Sequence, residues 1–164
     1  MTSARFNLPL LSPGQSQKEV THNEAVQLLE CVVQPVVEGP PVNTPPANPT
    51  VGQQFLVGPA PTGAWAAFDG ALASWTAGGW RMIRPSEGLT AFDRASAVSW
   101  CYLSGTWQQG VCRAMEVRIG GRKVLGAQQG AIANPGGGTT IDAEARAVLA
   151  TLLGALRQHG LIAG

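Results

Sequence analysis

Charge is scarce in this chain. Asp, Glu, Lys and Arg make up 13% of its 164 residues, about half of the ~25% typical of soluble domains. A monomer so poorly charged would expose much uncharged surface to water, and depletion of charge marks the buried middle of protein interfaces, so a homo-oligomer is expected. Lysine is nearly absent: Lys18 and Lys123 are the only two, the arginines are spread along the chain, and the net charge is +1. With no basic stripe to neutralise a phosphate backbone, nucleic acid is not an expected partner. Long apolar runs are missing too, and nothing approaches the ~20 residues of a membrane-spanning helix. Met1 to Leu11 has one arginine and a short Leu/Pro segment, without the apolar stretch and cleavage site of a secretory signal. No membrane insertion is expected, and the protein is expected to be made and kept in a cytoplasm.

Residues that carry chemistry are equally few. The three cysteines, Cys31, Cys101 and Cys112, are odd in number and lack metal-ligand spacing, which fits reduced, buried thiols. His22 and His159 have no Cys, Asp or Glu at ligand distance along the chain, so no metal is expected. Gly136-Gly137-Gly138 lacks the Lys-Ser/Thr of a phosphate loop and fits a hinge better than an anion cradle. Glu87 and Asp93 are near each other in sequence, but nothing pairs them across a cleft. The expectation is a non-enzymatic protein with no catalytic residue and no cofactor.

What the chain has is aromatic residues in one place. Nine of ten lie between Phe55 and Trp107, and only Phe6 lies outside. Aromatic side chains bury the most apolar area each, so the core is expected there. Turn signals divide this stretch into hairpins. Asp69-Gly70 is a strong type I′ signal and predicts pairing of Ala64–Phe68 with Ala71–Trp75, both faces of which are apolar and should be covered. Gly78-Gly79 leads into Trp80–Arg84, and Ser104-Gly105 into Thr106–Gln108. Gly120-Gly121 closes a hairpin that sets Arg118 opposite Lys123, a mildly unfavourable pairing. The segments Ser74–Trp80 and Trp100–Trp107 both run aromatic, small-residue turn, Trp, which suggests shared turn chemistry rather than a repeat. Most of the five Trp should fill the core. Trp65, Trp80 and Trp107 are the candidates to be exposed and to stack on sugar.

The flanks are helical and nearly free of aromatics. Residues 1–15 form an irregular apolar arm. From Gln15 or Ser16 to about Gln34, Ala25, Leu28, Leu29, Val32 and Val36 recur at helical spacing, with Pro35 as the stop. Five prolines between Glu38 and Pro49 predict a semi-rigid spacer. Near the C-terminus Thr140 is the expected N-cap, Asp142 and Glu144 favour the first turn, and Gly160-Leu161 is a Schellman-type stop. Ala145, Leu149, Leu152 and Leu156 follow the 4-3-4 spacing of a short coiled-coil seam. A helix of this length on a Gly linker is marginal alone and needs a partner. The expected organisation is therefore α+β: an arm and anchoring helix (1–38), a Pro-rich linker (39–50), an antiparallel, hairpin-rich, Trp-rich module (51–133), and a Gly linker with a coiled-coil-like helix (134–164).

Three segments carry a resemblance. Ala4-Arg5-Phe6-Asn7-Leu8-Pro9-Leu10-Leu11 through His22-Asn23-Glu24-Ala25, Gly63-Ala64-Trp65 through Gly78-Gly79-Trp80-Arg81, and Thr140-Ile141-Asp142 through Gly160-Leu161-Ile162 together resemble an uncharacterised domain family of phage and gene-transfer-agent head-spike and tail-fibre proteins of alphaproteobacterial type. The resemblance implies a virion structural protein on the head or tail surface, trimeric, with other capsid or tail proteins and host polysaccharide as partners. On that basis Phe6, Leu8, Leu10, Leu11, Gln17, Lys18, His22, Asn23 and Glu24 are the expected particle-anchoring residues. Ala145, Leu149, Leu152 and Leu156 form the expected oligomer seam. Because the chain stops soon after its last helix, a base, adaptor or short spike fits better than a receptor-reading fibre. A carbohydrate-binding module acting through exposed Trp is the alternative.

Overall fold

The computed structural model describes residues 1–14, 18–140 and 142–163, an α+β fold with two helices and a strand-rich, mostly antiparallel sheet. The chain divides into two compact units, Met1–Val111 and Cys112–Gly164.

Helix α1 spans Lys18–Val32. It stops there because Pro35 has no N–H to continue the ladder and biases the residue before it away from the helical region; Gln34 sits at φ 45°. Val36, predicted as the last turn of the helix stripe, belongs instead to strand β1 (Val36–Val37). Six further strands complete one sheet: β2 (Gln54–Leu56), β3 (Leu72–Thr76), β4 (Gly79–Ile83), β5 (Thr90–Asp93), β6 (Ser99–Leu103) and β7 (Thr106–Gln109).

The strand order β4-β3-β2-β1-β5-β6-β7 places two antiparallel meanders, β2-β3-β4 and β5-β6-β7, on either side of β1. That two-residue strand is parallel to both of its neighbours, with Val37 opposite Gln54 on one side and Val36 opposite Phe92 on the other. The strands within 51–133 pair with one another antiparallel, as expected, and the parallel pairings are those of β1, which precedes that stretch. The sequence echo also gains a structural basis. Trp75 faces Trp80 in the outer hairpin of one meander, and Tyr102 faces Trp107 in the outer hairpin of the other.

Alternation along the strands covers both faces. Leu56, Leu72 and Ile83 lie side by side and pack with Val37, Ala91, Leu89, Trp100 and Trp107. Their neighbours Phe55, Ala73 and Met82 point the other way and pack with Val57, Trp65, Phe68, Ala71 and Trp80. The Asp69-Gly70 hairpin does not form. Gly63–Trp65 is a single 3-10 turn, and β3 pairs with β2 and β4 instead. The run Ala64 to Phe68 is worth more as a plug than as an edge strand: folding it inward buries Trp65 completely, and Asp69 is occupied in accepting the Ala60 N–H at 2.8 Å.

The Pro-rich segment is a packed part of this unit rather than a spacer. Val42 donates to Leu56 and accepts from Gly58, and Asn43 accepts from Thr62. The fit is close at Gly58, where an added Cβ would lie 2.1 Å from Asn43 Oδ1.

In the second unit, β8 (Val117–Ile119) and β9 (Arg122–Leu125) form a hairpin with Arg118 opposite Lys123, as the register predicts. Gly120 and Gly121 both have positive φ, the requirement of a type I′ turn. Helix α2 spans Ala143–Gln158. Its N-cap is Asp142, which accepts the Ala145 N–H at 2.8 Å, rather than Thr140. At the other end Leu161 N–H donates to Leu156 O and Gly160 N–H to Arg157 O, the two bonds of the predicted Schellman stop.

All three cysteines are free, yet only Cys31 is buried; Cys101 is half-buried and Cys112 exposed. The odd count is therefore met by one core thiol and two thiols with solvent contact.

Candidate functional site

The N-terminal arm folds back onto α1. Residues 1–10 make a small loop-back closed by Ser3 N–H to Leu8 O and Leu10 N–H to Met1 O. Its lock is Glu30, a buried carboxylate near the end of α1. One oxygen, Oε1, accepts from the Ser3 hydroxyl at 2.5 Å, the Arg5 N–H at 2.8 Å and the Phe6 N–H at 2.7 Å. Burial alone would raise this carboxyl, but the Ser3 hydroxyl and the N–H groups of Phe6, Arg5 and Ala4 outweigh it and hold it below its ordinary range. The Arg5 guanidinium then donates to the carbonyls of Glu30, Val33 and Gln34, satisfying orphan acceptors at the negative end of the helix. Asn23 grips the other end of the arm, accepting Leu11 N–H and donating to Leu11 O.

The expected anchoring residues thus separate by role. Asn23 and Glu24 make internal contacts, the latter as a bidentate ion pair with Arg81 of β4 at 2.6 and 2.9 Å. Leu10 and Leu11 are half-buried, whereas Phe6, Leu8, Lys18 and His22 are exposed and available to a partner. Gln17 lies outside the described residues. Arg81→Ala is expected to cost about 1 kcal/mol, the scale of a partly exposed pair, and to speed amide hydrogen exchange in α1 while leaving β3 and β6 protected. Arg5 and Glu30, which organise the arm, were not among the predicted residues; a Glu at the end of a helix carries no sequence signal of its own.

The aromatic candidates also separate. Trp65 is 0% exposed, with its ring 5.0 Å from that of Trp80 and 6.0 Å from that of Phe55, so it cannot stack on a ligand. Trp80 is half-buried between Trp65 and Trp75. Trp107 is fixed from two sides, donating Nε1–H to Gly70 O at 2.8 Å and meeting Tyr102 edge-on at 5.3 Å. It borders a cleft of about 300 Å³ with Pro41, Pro59, Asp69 and Thr106.

Glu87 and Asp93 act separately. Glu87 accepts the Ser104 and Gly105 N–H groups of the β6–β7 turn. Asp93 is buried and accepts from Ala95 N–H at 2.8 Å, Trp100 Nε1–H at 3.0 Å and Gln109 Nε2–H at 3.2 Å. Among the described residues no group of three or more His, Cys, Asp or Glu could hold a metal ion, and no helix is long and apolar enough to cross a membrane.

In the second unit the extended chain before α2 is tied to the helix by two arginines. Arg157 donates to Ile132 O and Asn134 Oδ1, and Arg146 to Gly137 O. These bonds engage the face of Arg146, Ala150, Leu153 and Arg157, all half-buried. The predicted seam lies on the adjoining face, where Ala145, Leu149 and Leu152 are exposed and Leu156 is half-buried. No residue of α2 is buried, and Ile162 is the only buried hydrophobic residue among the described residues of this unit.

No curated protein matches the sequence. Residues 22–108 match a family described as a protein of unknown function, DUF2793. That segment begins within α1 and runs to the penultimate residue of β7, taking in every other strand of the seven-stranded sheet together with the Glu24–Arg81 pair, and by this match the chain belongs to the DUF2793 family.

Proposed function

We propose that this chain is a structural, non-catalytic subunit of a phage or gene-transfer-agent particle, a homotrimeric spike, fibre base or adaptor at the virion surface that contributes to host attachment. The observation that carries the assembly is α2. Its stripe of Val148, Leu149 and Leu152 is 68, 46 and 53% exposed, on a helix that is marginal alone in water. The β8–β9 hairpin is similarly bare, with Ile119 and Leu125 69 and 49% exposed, and an isolated two-stranded hairpin has little stability of its own. Association of three copies through the Leu149, Leu152 and Leu156 seam supplies the missing core. The exposed Phe6, Leu8, Lys18 and His22 serve as the particle-facing contacts.

Solution mass tests this directly. The protein is expected to sediment at the mass of three 17.0-kDa chains at micromolar concentration, and Leu152→Asp to sediment as a monomer. Every Trp lies in residues 1–111, so Trp emission reports whether that unit has kept its fold in the variant. A wild-type monomer would defeat the assembly.

A second reading, saccharide binding, is favoured by the Trp107 cleft. A rigid indole beside Pro41 and Pro59, with the Asp69 carboxylate at the rim, combines an apolar platform with a hydroxyl acceptor. Unchanged emission on adding capsular polysaccharide would count against it.

A further inference from the structure

The folded-back arm leaves a cavity of about 460 Å³ between itself, α1 and the end of β3, lined among others by Met1, Leu10, Gln27, Val51, Ser74 and Trp75. Cavities that take small ligands begin at roughly 300 Å³, so this one is large enough for a bicyclic ring. Its walls are mostly apolar, and most polar groups around it are already engaged. Glu30 Oε1 holds three donors, the Asn23 amide is bonded in both directions to Leu11, and the Arg5 guanidinium rests on backbone carbonyls. The Cys31 thiol is raised by burial and is therefore neutral. The exception is Gln27. Its Oε1 is buried and has no hydrogen-bond partner among the described residues, a costly state for a buried acceptor.

These features select a ligand. It must be uncharged, because burying a charge without a partner is prohibitive. It must be largely apolar to suit Met1, Leu10, Val51 and Trp75, and it must bring one N–H or O–H to Gln27. We propose that this cavity is a binding site for an uncharged aromatic donor of the indole or phenol type, with its ring against the apolar walls and its donor accepted by Gln27 Oε1. Binding in this cavity does not depend on assembly through α2, so a failure of one leaves the other intact.

The test uses the full chain and three probes followed by ¹H–¹⁵N NMR. Indole is expected to shift the amides of Gln27, Ser74 and Trp75, and indene, which has the same shape without the donor, to bind about 10-fold more weakly, the scale of one buried hydrogen bond. In Gln27→Met, which replaces the orphan acceptor with an apolar chain of similar length, the preference for indole over indene should vanish. That variant is expected to fold with an unchanged or higher Tm. N-acetyltryptophanamide separates the sources of the chemistry: its binding points to an aromatic side chain from another protein, and its exclusion while indole binds points to a free small molecule. Absence of shifts with both indole and indene, or an indole preference that survives in Gln27→Met, would overturn the proposal.

Discussion

Trp65→Ala is expected to lower the stability of the Met1–Val111 unit by about 3–5 kcal/mol, the cost of emptying a large aromatic site in a packed core. Trp65 is the largest fully buried side chain in the chain, and its removal takes contacts from Phe55 and Trp80 together. It also takes away the reason for the Gly63–Trp65 turn to fold inward, since Phe68 and Trp80 both pack on the cluster that Trp65 fills. Trp65→Phe should cost much less. It keeps a ring in place and removes the indole N–H, which is buried without a partner among the described residues; such a group costs about 1–3 kcal/mol when left unsatisfied. The measurement is urea unfolding followed by Trp emission, which reports only on residues 1–111 because all five Trp lie there. Equal losses for Ala and Phe would mean that ring volume at this site does not hold the turn.

Trp65 also shows where the sequence is readable and where it misleads. The clustering of aromatics correctly places the core, whereas the two covered faces predicted for the Asp69-Gly70 hairpin belong instead to β2, β3 and β4. The turn at Ser104-Gly105, with both residues at positive φ, and the one at Gly120-Gly121 form as their residue types require. Asp69-Gly70 carries the same signal and does turn, with Ala71 N–H donating to Phe68 O at 3.0 Å, but Asp69 is not at positive φ and no hairpin follows, because a turn dipeptide states only local preference. The gain from burying a whole Trp side chain, about 3 kcal/mol, exceeds what one favoured turn contributes. The short parallel strand Val36–Val37 is invisible for a different reason. Two residues have no periodicity, and their partners Gln54 and Phe92 lie 17 and 56 positions away. Its position rests instead on Gln54, fully buried, which accepts Val36 N–H and donates to Cys31 O, so one polar side chain joins the end of α1 to the middle of the sheet. The same limit applies to the arm. Its apolar residues announce docking, but the group that docks it, Glu30, sits on a helix face where glutamate is ordinary.

Acid is expected to loosen this unit through two buried carboxylates, Asp93 and Glu30. Burial by itself would raise Asp93, but the Trp100 indole, the Ser96 hydroxyl and the N–H groups of Ala95 and Ser96 prevail and hold it below its ordinary range. Glu30 is lowered in the same way by the arm. A carboxyl whose folded pKa lies below its unfolded value of about 4 binds protons more readily when unfolded. It therefore contributes stability that is complete above that unfolded value and is lost as pH falls through the folded one. Stability should be flat from pH 7 to about 5 and decline below about 4. Asp93→Ala should lower it at pH 7 by about 2–4 kcal/mol by leaving the half-buried Trp100 N–H and the loop amides without their acceptor, and should flatten the acid slope. Asp93→Asn should recover part of the loss, since its carbonyl can still take one set of donors while its amide must face the other. Urea midpoints at pH 7 and pH 3.5 for the three proteins measure both effects. An acid slope that persists undiminished in Asp93→Ala would assign it to Glu30, whose protonation frees Ser3, Arg5 and Phe6 together and releases the arm from α1.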